Sequence, residues 1–570
     1  MPKVQTTLDL DANDDPVSRL YFQGKTDQRA LRIGVIIDGG QVTRVGLSVL
    51  DDLYRADFVD IVCAICAAGA PGSETCEQND MSLSIDSCSS IAARCYDFLI
   101  DSRNKEVPDP FEVSHDLTLR HLPQIDGAAV DAIARIRSLE IDVLLHLGSR
   151  TLPIQLAGAA AYGLWTFHYG DSSRYERNVP YLSELIARDP VVAAELHAMN
   201  GNLPPNVLAR AEFSATPFPS VRMNRYAPVM GSRHLVIQKL NELHRFGWQH
   251  LVDTSVDNVG ESKAKANPGS IATTTWMLSE AVRKVKIRLQ RTPMTDHWRV
   301  GIRTSSTPLI SEFDREAALS QFRWIDSPKG VFWADPFLFA QNDQMWLFFE
   351  EFPYQAPRAH LSCCRLDEHG ALQEVTPILR RPYHLSYPHV FEHGGEIFMI
   401  PESTDSNQVE LWRARHFPDD WVLEKALLPL ACVDATVFFQ DDHWWMFTSP
   451  MSVSGHAPIT LLFFARHLTG PWIHHPASPV TRSVRLARGA GQVFRHGTQI
   501  IRPSQDCGID YGYSLVFNEI TRIDESGYAE RKVATVLPSS TPGLHGVHTY
   551  NRVGNIEVID GKFRFPSKDV

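Results

Sequence analysis

The chain has 570 residues, of which 44% are hydrophobic and 21% charged, and its formal net charge is -12. A chain of this length exceeds one hydrophobic core, so two or three domains of an ordinary globular protein are expected. The negative charge argues against a general nucleic-acid binder, which would present a basic face. No apolar run approaches the roughly 20 residues that a membrane-spanning helix needs.

Residues 1–30 predict a disordered or tag-like tail. They are acidic and polar and contain no apolar segment of the kind found in secretory signals. Leu20–Gly24 also matches the end of a protease site used in expression tags, so this segment carries no functional prediction.

The nine cysteines are odd in number and scattered along the chain. Cys63 and Cys66 form a C-x-x-C pattern inside the apolar stretch Val59–Ala68, where small buried side chains are expected rather than a redox or zinc site. The composition therefore favours a cytoplasmic protein with reduced thiols.

Strand and helix patterns alternate over residues 31–250. Three near-continuous apolar runs predict buried strands, and segments with helical spacing lie between them. The strands are Leu31–Asp38, Phe58–Cys66 and Ile141–Gly148, and the helices are Val42–Tyr54 and Ala128–Leu139. Such alternation predicts a doubly wound α/β domain with a polar insertion near residues 70–125. A linker and a helix are expected over residues 251–295.

Two candidate site residues follow the next predicted strand. Ligands of doubly wound domains bind beyond the carboxyl ends of the strands, where His168 and Asp171 are expected. The order of a first strand, an Asp-x-Leu-Leu strand and Tyr162–His168 resembles the N-terminal fold of formyltransferases. The resemblance implies acyl transfer to an amine through an Asn-x-His pair. His168 matches the His, whereas Thr166 occupies the place of the Asn.

The missing Asn removes much of the electrostatic stabilisation that acyl transfer needs. We therefore expect a different ligand, a non-catalytic domain, or an altered chemistry that uses His168 and Asp171. A purely structural role for His168 at a strand end stays open.

One sequence pattern occurs five times in the C-terminal half. Each copy has two apolar strands joined by a short polar turn, as in Phe332–Phe339 followed by Met345–Glu351. The copies are spaced at roughly 50 residues, the length of one propeller blade, and they start at Phe332, Tyr387, Asp434, Gly489 and Gly546. Residues 296–570 are therefore predicted to form a five-bladed β-propeller. The strand His297–Ile302 is expected to pair with the C-terminal strand and close the ring.

Equivalent residues of the copies are expected to meet at the propeller axis. They are Asp335, Pro388 or His389, Asp434, Gly491 and His548. Two carboxylates and one or two imidazoles in one funnel predict an active site.

This arrangement resembles the five-bladed propeller hydrolases of the arabinanase, xylosidase and invertase kind. The resemblance implies that Asp335, in an Asp-Pro context, is a general base and that Asp434 orients it and tunes its pKa. The general acid of these hydrolases has no match, because Arg488–Gly491 occupies its place. A last-blade His binds a hydrated ion in some members, and His545 or His548 corresponds to it. A divalent cation or hydrated ion near the axis is therefore left open.

The missing acid favours one reaction over another. Glycoside hydrolysis expels a poor leaving group that needs a protonated carboxyl group, whereas transfer from an activated donor expels a phosphate and needs a base and positive charge. We expect Asp335 to be the base and Arg488 and Arg502 to contact the phosphates. The structural alternative for Arg488 is a salt bridge to Asp434. Further substrate contacts are predicted at Trp333, Tyr387, His389 and His548.

A second resemblance covers nearly all of residues 296–570. Several motifs in one order resemble the propeller domain at the N-terminus of plant glucosamine inositolphosphorylceramide transferases. They are Trp333–Phe337 with Phe348–Glu351, Ser386–Phe391, Pro401–Ser403, Asp434–Thr436 and Arg502–Asp506. The resemblance implies a role in glycan or glycolipid metabolism, although the separate transferase domain of the plant proteins has no match in this chain.

The combined expectation is an inverting glycosyltransferase of cell-surface glycan or glycolipid assembly. Its partners would be a nucleotide-type sugar donor and a glycan or glycolipid acceptor, with no nucleic acid and no transmembrane segment, and peripheral membrane contact is left open. Three alternatives remain. They are a propeller glycoside hydrolase with an acid from Glu350, Glu351 or Glu402, a non-catalytic glycan-binding propeller, and N-formyl or acyl transfer to an amino sugar at His168.

Overall fold

The computed structural model describes residues 15–38, 41–66, 108–115, 118–127, 129, 131–148, 154–175, 180–200, 205–215, 221–256, 269–289, 294–367, 370–452, 455–538 and 541–566. The chain divides between Ile287 and Arg288 into two compact units. No helix of these described segments is long and apolar enough to cross a membrane.

A seven-stranded sheet forms the centre of the N-terminal unit, in the order β5-β3-β1-β6-β7-β8-β9. The strands, with the separate β2–β4 pair, are β1 (Leu31–Ile37), β2 (Gln41–Thr43), β3 (Val59–Cys66), β4 (Val113–His115), β5 (Gln124–Asp126), β6 (Val143–His146), β7 (Leu164–Tyr169), β8 (Val191–Met199) and β9 (Asn206–Ser214). The continuous apolar runs of β1 and β6 suit central strands covered on both faces, and nearly all their residues are buried.

The sheet is mixed, as in many doubly wound domains that carry an antiparallel edge. Strands β5, β3, β1, β6 and β7 are parallel to one another. Strands β8 and β9 then extend the sheet as an antiparallel edge. This edge carries several of the charged residues described below.

The helices of this unit are α1 (Pro16–Arg19), α2 (Arg44–Arg55), α3 (Ala132–Ser138), α4 (Leu182–Ala187), α5 (Val221–Gly231), α6 (His234–Phe246), α7 (Trp248–Asp253) and α8 (Ser270–Leu289). Helix α2 begins after Thr43, whose hydroxyl accepts a hydrogen bond of 3.2 Å from the Gly46 N–H. Residues 67–107 of the predicted insertion and residues 257–268 of the predicted linker lie outside the described residues.

The segment from Asp15 to Gly24 is packed into the unit, in contrast to the predicted tail. Val17 is fully buried and Tyr21 is 5% exposed. The Asn241 amide donates hydrogen bonds to the carbonyls of Tyr21 (3.0 Å) and Gln23 (2.7 Å). These contacts make the segment part of the fold; residues 1–14 lie outside the described residues.

Five sheets form the blades of a propeller in the C-terminal unit. From the axis outward, blade 1 is β12 (Val331–Gln341), β13 (Gln344–Pro353), β14 (His360–Leu366) and β15 (Thr376–Leu379); blade 2 is β16 (Ser386–His393), β17 (Glu396–Glu402), β18 (Val409–His416) and β19 (Asp420–Leu428); blade 3 is β20 (Cys432–Gln440), β21 (His443–Ser452), β23 (Leu461–Ala465) and β24 (Ile473–His474), with β22 (Gly455–His456) on β21. Blade 4 is β25 (Arg488–Gly489) and β26 (Phe494–His496), then β27 (Gln499–Asp506), β28 (Ser514–Asp524) and β29 (Gly527–Val536); blade 5 is β30 (Leu544–Val553), β31 (Ile556–Pro566), β10 (Met294–Thr304) and β11 (Arg323–Trp324). Helix α9 (Arg315–Leu319) lies between β10 and β11 in the chain.

Tight turns join the two innermost strands of the blades. In blades 1 to 3 both turn residues have positive φ, at Asn342–Asp343 (49° and 58°), Gly394–Gly395 (63° and 81°) and Asp441–Asp442 (51° and 59°). Positive φ at both positions is the signature of the type I′ turn, whose twist matches that of antiparallel strands. The predicted five-bladed propeller is confirmed.

The ring closes where β10 pairs with β31. The pairing runs from Met294 opposite Pro566 to Thr304 opposite Ile556, as predicted from the sequence. Glu557 holds this closure: its buried carboxylate lies 2.5 Å from Arg303 Nη2 and accepts hydrogen bonds from the Leu309 N–H (2.7 Å) and the Tyr550 hydroxyl (2.5 Å).

Candidate functional site at the propeller axis

The innermost strands of four blades carry an irregularity at the same place. The pairing with the next strand shifts between Ala334 and Phe337, Ser386 and His389, Val433 and Thr436, and Val547 and Tyr550. Three residues inside these bulges have positive φ, namely Asp335 (50°), Tyr387 (48°) and Asp434 (53°). A left-handed non-glycine residue costs roughly 1–3 kcal/mol, and such residues concentrate at functional sites.

Three blades hold the carboxylate of Asp335. Its Oδ1 accepts a hydrogen bond from the Thr549 hydroxyl (2.7 Å), and its Oδ2 accepts one from the Tyr387 N–H (3.2 Å). The backbone N–H of Asp335 donates to Asp560 Oδ2 (2.8 Å). The side chain is therefore fixed in position while the residue is only 6% exposed.

His548 lies between two carboxylates. Its Nδ1 is 2.6 Å from Asp560 Oδ2, and its Nε2 is 3.7 Å from Asp335 Oδ1. The ring stacks on Trp298 with centroids 4.0 Å apart, and the Tyr511 ring meets it edge-on at 5.5 Å. Burial acts in the opposite direction, but the charges of Asp560 and Asp335 raise the pKa of His548 and favour the imidazolium.

Asp434 and Arg488 form a buried ion pair between blades 3 and 4. Arg488 Nε is 2.7 Å from Asp434 Oδ2, and Nη2 is 3.0 Å from Oδ1. Nη2 also lies 3.7 Å from a carboxylate oxygen of Glu402, and the guanidinium is 4.9 Å from the centroid of the Tyr511 ring. The salt bridge considered from the sequence is thus present.

Two further glutamates belong to the same electrostatic cluster. Burial, followed by the negative charge of Asp434, raises the pKa of Glu402 to about 8. Burial, with the charges of Asp335 and Glu402, raises the pKa of Glu350 well above its ordinary value. These side chains therefore favour their neutral forms at neutral pH.

The two repeated aspartates influence each other. Burial raises the pKa of Asp335; His548 acts in the opposite direction, and the negative charges of Asp560 and Asp434 raise it further. The axis therefore carries more carboxyl groups than nearby cations, a condition that favours partial protonation.

The blade-2 residue at the bulge is Tyr387, not Pro388 or His389 as the repeat alignment predicts. The bulge begins directly after Ser386, so the equivalent position falls one residue earlier than expected. The fully buried Tyr387 hydroxyl accepts a hydrogen bond from the Gly491 N–H (2.8 Å) and lies 2.8 Å from Thr436 Oγ1.

His389 has a different environment from the one predicted for it. Its Nδ1 accepts a hydrogen bond from the Val437 N–H (3.4 Å), and burial lowers its pKa to about 3. The ring is therefore neutral and spans the space between blades 2 and 3. A role in substrate binding stays a prediction.

Trp333 and Arg502, the other two predicted contacts, are also engaged in the propeller core. Trp333 packs against Phe349 with ring centroids 4.9 Å apart. Arg502 forms a bidentate ion pair with Glu530 (2.8 and 2.7 Å) and lines a small cavity together with Asp434. Their contact with a substrate likewise stays a prediction.

Several cluster residues are not predicted from the sequence. Asp560 interrupts the apolar run Val558–Gly561 as Asp335 interrupts its own strand, so the same signal was available for it. Tyr511 lies in a loop of blade 4 that appears in the sequence as a turn. Lys562 fixes this loop by donating to the Tyr511 carbonyl (2.6 Å) and the Asp510 carboxylate (2.7 Å), a contact that no local pattern predicts.

The two candidates of the N-terminal unit have separate partners. His168 stacks on His197 with centroids 5.3 Å apart, and His197 Nε2 lies 2.8 Å from Glu195. Asp171 forms a bidentate ion pair with Arg210 (3.0 and 2.8 Å). Burial acts in the opposite direction, but the hydrogen bonds and charge of Arg210 lower the pKa of Asp171 to about 2. Asp171 is therefore a poor proton acceptor near neutral pH.

A cavity lies near the carboxyl ends of β6 and β7, where the sequence predicts a ligand. Its walls include the apolar side chains of Val45 and Phe111 and the polar side chains of Thr43, His146 and Thr166. Thr166 Oγ1 is 3.5 Å from His146 Nδ1. The residue in place of the family's Asn thus faces a neighbouring strand.

The propeller region of the chain is similar in sequence to a known protein family and to curated plant proteins. Residues 324–558 match the sequence model of the family described as glucosamine inositolphosphorylceramide transferase 1, N-terminal. Glucosamine inositolphosphorylceramide transferase 1 of Oryza sativa subsp. japonica is 32% identical over 254 residues, which cover 42% of this chain and 34% of the relative. The protein of the same name from Arabidopsis thaliana is 33% identical over 217 residues, which cover 37% of this chain and 28% of the relative. The chain thus spans about a third of the length of these curated relatives.

Among solved structures, a family 117 glycoside hydrolase from the marine bacterium Zobellia galactanivorans aligns with 47% of this chain and 90% of its own, at 10% identity and a TM-score of 0.31. The propeller assignment rests on the strand pairing described above, not on this likeness. Over residues 324–558 the chain is similar to the N-terminal domain of glucosamine inositolphosphorylceramide transferases, as its ordered motifs predict.

Proposed function

We propose that the propeller axis is the active site of a sugar transfer in glycolipid assembly, with Asp335 as the general base. The observation that carries the proposal is the placement of Asp335. A left-handed bulge and hydrogen bonds from two neighbouring blades fix its carboxylate among charged groups. Backbone strain of this kind persists where the surroundings over-determine it, which is typical of functional sites. The similarity to glucosamine inositolphosphorylceramide transferases supports a sugar donor and a glycolipid acceptor.

In the proposed step, Asp335 takes the proton of an acceptor hydroxyl while the hydroxyl oxygen bonds to the anomeric carbon of the donor. The bond between that carbon and the donor phosphate breaks, and the phosphate oxygen keeps the electron pair. A phosphate leaves without a strong acid but benefits from positive charge. Arg488 would supply this charge through Nη1, because Nε and Nη2 pair with Asp434. Asp434 is then the residue that positions Arg488.

Asp335→Asn tests the base. Asn keeps the size of the side chain and tolerates the left-handed backbone, but it cannot take the proton. Loss of a general base lowers turnover by about 10²–10⁴-fold. Turnover is measured as nucleotide release from UDP-glucosamine with inositolphosphorylceramide as the acceptor. The sugar and the lipid are chosen because the name of the relatives contains them.

Asp343→Asn is the matched control, because Asp343 is exposed in the hairpin turn of the same blade. It should keep wild-type turnover. Equal turnover of D335N and the wild type would refute the role of Asp335. Saturable glycan binding without turnover in either protein would favour the non-catalytic propeller instead.

A hydrated divalent cation near the axis is part of the proposal. Asp335, His548 and Asp560 each offer one ligand atom, and these atoms lie within 4.8 Å of one another. Asp335 Oδ1 and His548 Nε2 would hold the ion, whose binding would displace the Nε2 proton of the imidazolium, while Asp560 orients the ring from Nδ1, as second-shell carboxylates do. The ion would add positive charge to the site. Calcium or magnesium should raise the melting temperature of the wild type but not of His548→Gln, and equal responses would exclude this site.

A second candidate function, glycoside hydrolysis, is favoured by Glu402. Its pKa of about 8 keeps the carboxyl group protonated at neutral pH, as required of a general acid. This candidate predicts release of nitrophenol from nitrophenyl glycosides. It also predicts that Glu402→Gln impairs natural glycosides more than nitrophenyl substrates, because a nitrophenolate leaves with little protonation. No hydrolysis of either substrate class would eliminate it.

For the N-terminal unit we propose a formyltransferase-like fold that no longer transfers a formyl group. Thr166 replaces the Asn donor, and the ion pair of Asp171 with Arg210 withholds that carboxylate from proton transfer. Incubation with 10-formyltetrahydrofolate and glucosamine should yield no N-formyl product above background. Product formation that is lost in His168→Ala would contradict this proposal.

A further inference from the structure

We infer that the outer face of helix α8 binds an anionic membrane surface. The inner face of this helix is already occupied: Thr273, Trp276 and Glu280 are buried. Trp276 packs in an apolar cluster with Leu182, Leu185 and Val221. The helix is therefore anchored to its unit along one side.

The opposite side of α8 exposes a line of apolar side chains. Ile271, Leu278 and Val282 are 85%, 65% and 69% exposed. Spacings of seven and four residues place them on one face of a helix. An anchored helix whose solvent side carries three large apolar residues presents a surface for a partner.

The C-terminal end of the same helix is strongly basic. Arg283, Lys284, Lys286 and Arg288 fall within six consecutive residues that contain no acidic residue, in a chain whose net charge is -12. Glu280 is the one acidic residue of α8, and it is paired with Arg283 (2.6 Å) and Arg188 (3.5 Å).

Exposed apolar residues beside a basic cluster are the features of a helix that lies in a membrane interface. The apolar side chains enter the boundary between headgroups and acyl chains, and the basic residues approach anionic lipids. A second copy of the chain is a poorer partner for this face. Glu280, the one acidic residue of α8, is already paired, so a second α8 offers no free counter-charge for the basic end. The inference is independent of the proposed sugar transfer, because membrane binding is measurable without turnover.

Co-sedimentation of the full chain with vesicles tests this surface. Vesicles of phosphatidylcholine alone are compared with vesicles that contain about 30% phosphatidylserine, at low and high salt. The wild type should bind the anionic vesicles at least about tenfold more tightly than the neutral ones, and high salt should weaken that binding, because the attraction is electrostatic.

Two variants separate the contributions. Lys284→Gln, Lys286→Gln and Arg288→Gln together should weaken binding roughly a hundredfold, since each basic residue near an anionic surface contributes about fivefold. Ile271→Ser, Leu278→Ser and Val282→Ser together should weaken it at least about tenfold. The matched control changes three exposed apolar residues of the propeller unit, Phe313→Ser, Leu423→Ser and Ile473→Ser, which are 103%, 49% and 51% exposed. It should bind as the wild type does.

Equal binding to neutral and anionic vesicles, or wild-type binding by both α8 variants, would overturn the inference. Sedimentation velocity tests the alternative occupant, a second copy of the chain. A dimer that forms in the wild type but not in the serine variant of α8 would assign the face to that second copy and would also overturn the inference. The substituted apolar side chains are all exposed, and an unchanged melting temperature of each variant confirms that it is folded. An α8 variant that no longer binds vesicles but keeps sugar transfer would support membrane binding through α8 and would leave the proposed sugar transfer unaffected.

Discussion

Glu402 and Asp434 both lie near Arg488, but the guanidinium donates hydrogen bonds only to Asp434. Asp434 receives two hydrogen bonds of 2.7 and 3.0 Å, whereas Glu402 has only a contact of 3.7 Å to Arg488 and a hydrogen bond of 3.3 Å from the Thr404 hydroxyl. One cation cannot neutralise both buried carboxylates. The proton therefore stays on Glu402, whose pKa is raised to about 8.

This shift predicts a specific pH dependence of stability. The pKa of Glu402 rises from 4.5 in the unfolded chain to about 8 in the folded one, through burial and the charges of Asp434 and Asp335 against that of Arg488. The folded state then binds more protons between these values, so its stability advantage is complete below about pH 4.5 and is lost as the pH rises through 8.

Glu402→Gln removes this titration, so the difference in free energy of unfolding between wild type and variant should shift against the wild type from pH 5 to pH 9. The slope is at most about 1.4 kcal/mol per pH unit. Urea denaturation at pH 5, 7 and 9 measures it. A difference that is constant over this range would mean that Glu402 is ionised in the folded protein.

At this scale the sequence predicts residues that stand at equivalent places of the repeat. Asp335 and Asp434 interrupt apolar innermost strands, and the repeat brings both to the axis. Asp560 reaches the same cluster from a second strand, and Thr549 and Trp298 carry no charge pattern that distinguishes them from core residues. The roles of Asp560, Thr549 and Trp298 depend on contacts between strands and blades, which the order of residues in one strand does not determine.

The bulge is the element that organises the site. In blade 4 the innermost strand is interrupted between β25 and β26, and Gly491 has a φ of 118°. A Cβ atom at Gly491 would lie 2.0 Å from the Tyr550 carbonyl oxygen. Glycine is therefore required at this contact between blades 4 and 5.

Gly491→Ala should destabilise the propeller by about 3 kcal/mol or more, because it combines backbone strain with a clash against the backbone of the next blade. Gly497→Ala is the matched control. Gly497 has a φ of 59° in a hairpin turn of the same blade, and an added Cβ would meet nothing within 4 Å. The control should cost only about 1 kcal/mol. Thermal unfolding of the two variants compares them, and similar losses would show that the contact with Tyr550 relaxes freely.

Local turn chemistry explains which elements the sequence predicts well. The pairs Asn342–Asp343 and Gly394–Gly395 favour positive φ, so they mark hairpins inside apolar runs. Strand β8 is harder to recognise, because it is rich in alanine and contains Glu195 and His197 among buried residues. Its polar side chains are satisfied by β9 and by a neighbouring ring, which are tertiary contacts.

The propeller as a whole depends on the junction between its first and last strands. A ring of blades has no free edge only if β10 completes the sheet of β30 and β31. Glu557 sits at this junction with Arg303, Arg552, Tyr550 and Leu309 around its carboxylate.

Glu557→Gln should therefore destabilise the C-terminal unit by about 3 kcal/mol, since it leaves Arg303 buried with a weakened counter-charge. Asp296→Asn is the control. It removes an ion pair with Arg564 in the same two strands, but both side chains are 44% exposed, so the change should be within about 1 kcal/mol. Denaturant unfolding followed by tryptophan fluorescence measures both, and equal effects would show that closure does not depend on the buried carboxylate.

At the scale of the molecule, length and repeat spacing predict both the number of units and the closure of the ring. They do not predict that residues 15–24 join the N-terminal unit, because a polar, acidic segment has no periodic pattern. Its attachment depends on Asn241 and on the buried Val17, which lie more than two hundred positions apart in the chain.

The shared irregularity of the innermost strands also bears on how this scaffold evolves. Asp335, Tyr387, Asp434 and His548 occupy matching places in four different blades, each inside a register shift of the innermost strand. A single codon change at such a place exchanges the functional group at the propeller axis. Proteins that descend from one propeller can thereby become hydrolases, transferases or non-catalytic binding proteins. A shared architecture therefore says little about a shared chemistry.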